Sequence, residues 1–128
     1  NGNGFDLPFI HHHIKVSKQY ISIDLMVLFH RLNMYGGLKA IERNLGIIRD
    51  ESVLGVTGRD AVVLWRKYKN GDEESLDTLV KYNREDILNL EILLNYLYHK
   101  SLGAGVDIKC IENWRKKIYA NSNLTLKN

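Results

Sequence analysis

The chain has 128 residues, 45% of them hydrophobic, and a formal net charge of +3 at pH 7. That length suits one ordinary domain with its own hydrophobic core. The longest purely apolar run, residues 25–29, is far shorter than the roughly 20 residues of a membrane span, and the chain shows no basic and then apolar segment of the signal-peptide type. The single cysteine, Cys110, excludes an internal disulfide and has no CxxC partner for zinc. We therefore expect a soluble, cytoplasmic protein.

The positive charge is concentrated at the carboxyl end. Residues 99–128 contain six Lys or Arg against two acids, whereas residues 1–98 contain twelve against thirteen. The run from Trp114 to Tyr119 combines basic and aromatic side chains, which suits contact with a phosphate backbone and stacking on bases. The alternative is a solvated amphipathic helix, since short runs of charge are common on protein surfaces. Both interpretations stay open at this point.

The first residues are rich in turn formers. Asn1 to Gly4 (NGNG) indicates a turn, and Asp6 is suited to cap a helix over about 7–16 whose early turn tolerates Pro8. The chain does not begin with methionine, and its opening is typical of a loop that leaves a strand. We therefore expect it to be a piece of a longer protein.

The next segments predict a strand and then two helices. Residues 20–23 (YISI) alternate and contain β-branched side chains, which favours a short strand, and Asp24 then occupies an N-cap position. Helical spacing predicts a helix after Asp24, which ends before the pair Gly36-Gly37. Another helix begins near Leu38 and ends at Gly46.

Two further helices follow. Residues 61–68 carry apolar and aromatic side chains at helical spacing, and this helix is predicted to end before Asn70-Gly71. The strongest helical pattern covers about 74–98. The glycine-containing stretch 101–105 then separates a tail. We therefore predict a domain over residues 1–100 and a basic carboxy-terminal extension over residues 101–128.

One carboxylate interrupts the apolar stripe of the last strong helix. The stripe advances by three or four residues through Leu79, Tyr82, Asp86, Leu90, Leu93 and Leu97. A buried, unpaired carboxylate is costly, so such a group normally contacts a cation, a metal or several hydrogen-bond donors, or takes up a proton. The pattern therefore predicts a functional site around Asp86.

Two segments together resemble the motifs of a known family. Asn1 to Pro8 (NGNGFDLP) and Tyr82 to Asp86 (YNRED) resemble the second and third motifs of DEDD-type 3′ to 5′ exonucleases, and the tyrosine marks the DEDDy subgroup. The resemblance is closest to the YprB-like ribonuclease H-like domains, which are predicted exonucleases related to the proofreading domain of family B DNA polymerases. Gly36 to Glu42 and Leu45 to Ile47, between the motifs, are also similar. The resemblance covers residues 1 to about 98.

This resemblance implies a phosphodiester hydrolase in which four carboxylates hold two divalent ions, Mg²⁺ or Mn²⁺. By motif position, Asp6 and Asp86 would be metal ligands, and Tyr82 would orient the attacking water. Asn1 and Phe5 match the loop beside the 3′ terminus of the substrate. The implied partner is nucleic acid with single-stranded 3′ ends. The implied fold class is α/β and ribonuclease H-like, with this chain as the carboxy-terminal part, mostly helical with one or two strands.

The chain departs from the family in one respect, because the first motif, Asp-x-Glu, has no counterpart before Asn1. Two carboxylates rarely hold two ions with defined geometry, so we expect the chain by itself to hydrolyse nucleic acid poorly or not at all. Two other functions stay open. One is a non-catalytic nucleic-acid-binding module. The other is a structural fragment that self-associates through apolar faces left uncovered.

Overall fold

A computed structural model describes residues 7–14 and 21–125 of the chain. The α-helices of these residues are α1 Leu7–His13, α2 Leu25–Arg31, α3 Leu38–Asn44, α4 Gly58–Lys69, α5 Glu73–Ser101 and α6 Ile108–Thr125. A short 3-10 helix, Glu51–Val53, lies between α3 and α4. In this described part of the chain, no helix has the length and apolar composition that a membrane crossing requires.

The predicted α/β fold class is wrong for the described residues, because residues 7–14 and 21–125 contain helices and no β-strand. Tyr20, the first residue of the predicted strand, lies outside the described residues. Residues 21–23 are irregular, and the side chain of Ile21 is 91% exposed. Alternation and β-branching favour an extended backbone, but a strand forms only where a second extended segment completes its ladder of hydrogen bonds. The described residues provide no such segment.

The chain forms two compact units, Asn1–Ile41 and Glu42–Asn128. In the first unit, Asp24 caps α2 as predicted, because its Oδ1 accepts the backbone N–H of Met26 at 3.1 Å. The helix predicted over about 7–16 is confirmed as α1 over Leu7–His13, and Ile14 lies outside the helix. Its predicted cap, Asp6, and its predicted last residues, 15 and 16, lie outside the described residues.

Gly46 follows the end of α3, as predicted. Its φ of +71° lies in the left-handed region, which favours glycine. A Cβ built at this position would lie 2.6 Å from Cδ1 of Ile108 in α6. Backbone conformation and close packing therefore both require glycine here.

In the second unit, α5 packs against α4, α6 and the 3-10 helix. The predicted helices over 61–68 and 74–98 are confirmed as α4 and α5, and each extends beyond its predicted bounds. Thr57 and Asp60 form a capping box at the start of α4, which fixes where this helix begins. The buried apolar side chains of the unit are Ile47, Val53, Ile92, Leu93, Tyr96, Leu97, Ile111 and Ile118.

The buried face of α5 differs from the predicted stripe. Its buried residues are Ser75, Glu85, Asn89, Ile92, Leu93, Tyr96 and Leu97. Leu90 is 43% exposed and the side chain of Asp86 is 28% exposed, so the prediction that both lie on the buried face is wrong. Apolar residues occur on nearly every side of this helix, so their spacing leaves its rotation about its own axis open. Packing against neighbouring helices decides that rotation.

Residues 108–125 of the basic tail form α6, which packs on α5 and buries Ile111 and Ile118. Lys116 and Lys117 of the same helix are exposed. The tail is therefore an amphipathic helix with a charged outer face. The division of the chain at residue 100 stays a prediction.

Candidate functional site

Tyr82 and Asp86 lie one turn apart on α5. Their spacing of four residues places them on one side of the helix, where Tyr82 is half-buried and Asp86 is 28% exposed. Burial raises the pKa of the Tyr82 phenol above its ordinary value of 10.0, and the negative charge of Asp86 raises it further. The phenol therefore keeps its proton at neutral pH and can donate a hydrogen bond.

A buried cation contacts Asp86. Arg49 is 7% exposed, and its Nη2 lies 2.6 Å from Oδ1 of Asp86. This contact is an ion pair without the alignment of a hydrogen bond. The same guanidinium binds Glu42 through two parallel hydrogen bonds, from Nε to Oε2 and from Nη2 to Oε1, both 2.7 Å long. The cation that a carboxylate at this position requires is therefore a guanidinium.

The charges around Arg49 keep it ionised. Burial by itself would lower the pKa of Arg49, but its hydrogen bonds to Glu42 and the negative charges of Glu42 and Asp86 raise it above its ordinary value. One guanidinium faces two carboxylates, Glu42 and Asp86, so these three side chains have a formal charge of −1. Arg49 also lies over the ring of Tyr82, 5.8 Å from its centroid.

Two further side chains extend this cluster to α6. Asn89 is fully buried, and its Nδ2 donates a hydrogen bond to Oε1 of Glu42 at 2.9 Å. The hydroxyl of Tyr119 in α6 donates to Oδ1 of Asn89 at 3.0 Å. Burial and the adjacent Glu85 carboxylate raise the pKa of Tyr119, so its hydroxyl remains a donor. A continuous series of polar contacts therefore leads from α6 to Asp86.

Glu85, which precedes Asp86, belongs to a second cluster. It is 5% exposed, and its Oε2 accepts the backbone N–H of Asp50 at 3.3 Å. Oε2 also lies 3.9 Å from Nη2 of Arg115, whose guanidinium lies 4.5 Å from the centroid of the Tyr119 ring. An adjoining cleft of about 250 Å³ is lined by Asp50, Ser52, Lys81, Arg84 and Glu85.

The predicted metal ligands can be compared with the structure only in part. Asp6, Asn1 and Phe5 lie outside the described residues, so their roles stay predictions. In the part of the chain that is described, no group of three or more His, Cys, Asp or Glu side chains could hold a metal ion. Of the two predicted ligands, Asp6 and Asp86, only Asp86 lies in the described residues. Its Oδ1 is buried beside Arg49, while the side chain as a whole keeps 28% exposure. Oδ2 is the oxygen outside the Arg49 contact.

A comparison with models of protein families shows which superfamily the chain belongs to. A family model of the RNase H superfamily matches residues 1–98, which include both predicted motifs and the cluster from Glu42 to Asn89. The chain belongs to the RNase H superfamily. Membership confirms the ribonuclease H-like part of the predicted resemblance, whereas the DEDDy and YprB-like subtype stays a prediction. No curated protein and no solved structure matches the chain.

Sequence reasoning missed Arg49, Glu42, Asn89 and Tyr119. A local signal existed for Asn89, because it follows Asp86 by one helical turn and is polar within an apolar stretch. No comparable signal identified Arg49. The need of Asp86 for a cation could be read from the sequence, but the chain has 18 Lys and Arg residues and only the folded structure selects one of them.

Proposed function

We propose that the chain carries part of the active site of a DEDDy-type 3′ to 5′ exonuclease that removes nucleotides from single-stranded 3′ ends of nucleic acid. Membership of the RNase H superfamily by itself suggests nuclease-like hydrolysis of nucleic acid and no more specific activity. The observation that carries the finer proposal is the pair of Tyr82 and Asp86, in which a protonated phenol lies one helical turn from a partly exposed carboxylate. Those are the two side chains that the third motif of this subgroup supplies.

The residues have distinct roles in this proposal. Asp86 and Asp6 would hold Mg²⁺ or Mn²⁺, and Asn1 and Phe5 would contact the 3′ end of the substrate. Bound divalent ions would supply a water of lowered pKa and would neutralise charge on the phosphate. Tyr82 holds a water by a hydrogen bond, since its raised pKa keeps the phenol protonated at neutral pH.

Release of nucleotides from a 3′-labelled single strand, with and without Mg²⁺ or Mn²⁺, tests the proposal. The chain and, where the coding sequence continues upstream, an extended form would each be compared with their Asp86→Asn and Tyr82→Phe variants. Asp77→Asn is the matched control, because Asp77 is exposed on the same helix. We expect metal-dependent release by the extended form and little or none by the chain itself. Asp86→Asn should abolish this release, and Tyr82→Phe should lower it about 100-fold. Release that survives Asp86→Asn would contradict the proposal.

A second candidate function is a non-catalytic nucleic-acid-binding module. The ion pair between Arg49 and Asp86 favours it, because the guanidinium already neutralises one oxygen of the carboxylate. The exposed Lys116 and Lys117 of α6 also favour it, since they can contact phosphates. Binding of a single strand that weakens with salt, without hydrolysis by either form of the chain, would support this function over the exonuclease.

Self-association is a third candidate. The outer face of α5 exposes several large apolar side chains, namely Ile87, Leu90, Leu94 and Tyr98. Such a patch is a common feature of surfaces that bind another protein. Size-exclusion chromatography over a range of concentrations tests this candidate, and a monomer throughout would exclude it. The cytoplasmic location stays a prediction.

A further inference from the structure

The cleft beside Glu85 contains two cations that have no carboxylate partner. It is lined by Asp50, Ser52, Lys81, Arg84 and Glu85. Lys81 and Arg84 are three residues apart on α5, so they lie on one side of that helix. No ion pair joins either of them to a carboxylate of residues 7–14 or 21–125. Cations that line a concave site without paired counter-charges attract an anion.

The two carboxylates of the cleft already have partners. Glu85 is 5% exposed, and its Oε2 accepts the backbone N–H of Asp50 and lies 3.9 Å from Nη2 of Arg115. Oδ1 of Asp50 accepts both the hydroxyl and the backbone N–H of Ser52. These hydrogen bonds lower the pKa of Asp50, and the charges of Lys81 and Arg115 lower it further. Asp50 is therefore ionised at neutral pH, and its charge counts in the balance of the cleft.

Arg84 is held in place by α6. Its Nη2 donates to Oγ of Ser122 at 2.7 Å and also to Oδ1 of Asn123. Its guanidinium carbon lies 5.8 Å from the centroid of the Tyr119 ring, and the guanidinium carbon of Arg115 lies 4.5 Å from the same centroid. The partners of Arg84 are neutral, so it keeps its charge while its conformation is restricted. A side chain that is ordered beforehand loses less conformational entropy when a ligand binds.

The charge and the size of the cleft favour one kind of anion. Its lining has two cations and two carboxylates, and the adjacent Arg115 adds a third cation, so the net formal charge is +1. A backbone phosphodiester has a single negative charge, whereas a terminal phosphate has about −1.5 to −2 at pH 7. The volume of about 250 Å³ far exceeds the roughly 30 Å³ of one water. It is below the roughly 300–1,000 Å³ of sites that hold whole small molecules. The cleft therefore suits one phosphate group of a longer chain.

We propose that this cleft binds a backbone phosphodiester of a nucleic-acid strand, with Lys81 and Arg84 as its charged contacts. Lys81 precedes Tyr82 and Glu85 precedes Asp86, so the cleft and the Tyr82–Asp86 pair lie on neighbouring sides of α5. A strand held in the cleft would pass beside that pair. The inference rests on the nucleic-acid partner of the proposed function, and it requires neither hydrolysis nor a bound metal.

Fluorescence anisotropy of labelled single strands, measured without metal, tests the proposal on the full chain. The strands are oligothymidylate and oligouridylate, each without a terminal phosphate. Lys81→Gln and Arg84→Gln each remove one charged contact. Lys81→Gln also guards against misfolding, because Lys81 is exposed. Lys100→Gln is the matched control, since it removes the same charge from an exposed position about 28 Å further along α5.

We expect Lys81→Gln and Arg84→Gln each to weaken strand binding about eightfold at about 50 mM salt, because each phosphate contact contributes about 0.7 to the slope of log affinity against log salt concentration. Lys100→Gln should change binding by about twofold or less, since salt screens a charge at that distance. Asp50→Asn should strengthen binding, because it removes a negative charge from the lining.

Competition experiments identify the group that binds. The competitors are a thymidine dinucleotide with one phosphodiester and no terminal phosphate, its uncharged methylphosphonate analogue, and thymidine monophosphate. We expect the dinucleotide to compete better than the monophosphate, and the methylphosphonate not to compete. In Asp50→Asn the monophosphate should gain more than the dinucleotide, because the cleft then has one more net positive charge for a ligand of higher charge.

Equal strand binding by Lys81→Gln and Lys100→Gln would overturn the proposal, as would a chain that binds neither strand. Better competition by the monophosphate or by the methylphosphonate than by the dinucleotide would also overturn it. If the cleft variants bind normally while Asp86→Asn abolishes release of nucleotides, the cleft assignment is wrong and the proposed function stands. If the cleft variants bind weakly but neither form of the chain releases nucleotides, the cleft assignment stands and the exonuclease is wrong.

Discussion

Nη2 of Arg49 lies 2.6 Å from Oδ1 of Asp86 while the same guanidinium holds Glu42 through two hydrogen bonds. Two carboxylates therefore offset the cost of burying one arginine. Removal of one member of such a cluster leaves another charge uncompensated in a poorly solvated position, and this costs more free energy than the intact pair contributes. The stability of the second unit should therefore depend strongly on Arg49.

Arg49→Met should lower the free energy of unfolding by about 3–5 kcal/mol, because it leaves the 2%-exposed Glu42 without its cation. Urea denaturation followed by circular dichroism measures this change. Arg43→Met, on the surface of α3, should change the free energy of unfolding by no more than about 0.5 kcal/mol. Glu42→Gln with Arg49→Met should cost less than the sum of the single changes, since the two side chains interact directly. Additive costs would contradict the coupling.

The helical part of this fold could be predicted because its signals are local. Asp24 caps α2, Gly46 follows α3 and Asn70-Gly71 follow α4, each as the sequence indicates. The predicted strand is wrong over its described residues, 21–23, because a strand depends on a distant partner that the pattern of one segment cannot reveal.

The candidate site could be predicted only in part for the same physical reason. The requirement of Asp86 for a partner follows from the cost of burying charge, and the chain supplies one. The identity of that partner follows from how the loop after α3 packs beside α5, which residue spacing does not encode. The spacing of residues does not determine the rotation of α5, because apolar residues lie around most of its circumference. In the structure, Glu85 and Asn89 are buried and Leu90 is exposed.

Tyr119→Phe should lower the free energy of unfolding by about 1–3 kcal/mol, because it removes the hydroxyl that donates to the fully buried Asn89. Thermal and urea unfolding both measure this change. Tyr98→Phe is the matched control, since Tyr98 is 60% exposed, and it should have an effect below about 0.5 kcal/mol. Equal effects of the two substitutions would show that the bond from Tyr119 to Asn89 contributes nothing.

Asp72 should make the stability of the chain depend on pH in the acid range. A hydrogen bond from the Ser75 hydroxyl and a second from the Ser75 backbone N–H lower the pKa of Asp72 below its ordinary value of 3.8. A carboxyl whose pKa is lower in the folded chain contributes stability above pH 3.8, and this contribution is lost as the pH falls through the folded-state pKa.

The melting temperature of the chain should therefore exceed that of Asp72→Asn most at neutral pH, and the difference should shrink below pH 3.8. Asparagine is a suitable replacement because it still caps a helix but does not ionise. In a Ser75→Ala background the difference should depend less on pH, since the hydroxyl is the largest cause of the shift. A difference that stays constant from neutral to acid pH would contradict this account.

Gly46→Ala should lower the free energy of unfolding for two separable reasons. The φ of +71° costs a non-glycine residue about 1–2 kcal/mol, and the new Cβ would lie 2.6 Å from Cδ1 of Ile108. Ile108→Val removes that carbon, so Gly46→Ala should cost less in an Ile108→Val background, yet still destabilise. Gly105→Ala is the control, because no atom lies within 4 Å of a Cβ there. An equal cost in both backgrounds would exclude the steric contribution.

Lys116→Gln with Lys117→Gln should weaken binding of a single-stranded oligonucleotide and reduce its dependence on salt, if the exposed face of α6 contacts phosphates. Each lysine that neutralises a phosphate contributes about 0.7 to the slope of log affinity against log salt concentration for single strands. Fluorescence anisotropy of a labelled oligonucleotide at several salt concentrations measures both quantities. Lys67→Gln with Lys69→Gln removes the same charge from the surface of α4 and should have a smaller effect. Equal losses from the two helices would mean that net charge, and not the surface of α6, attracts the strand.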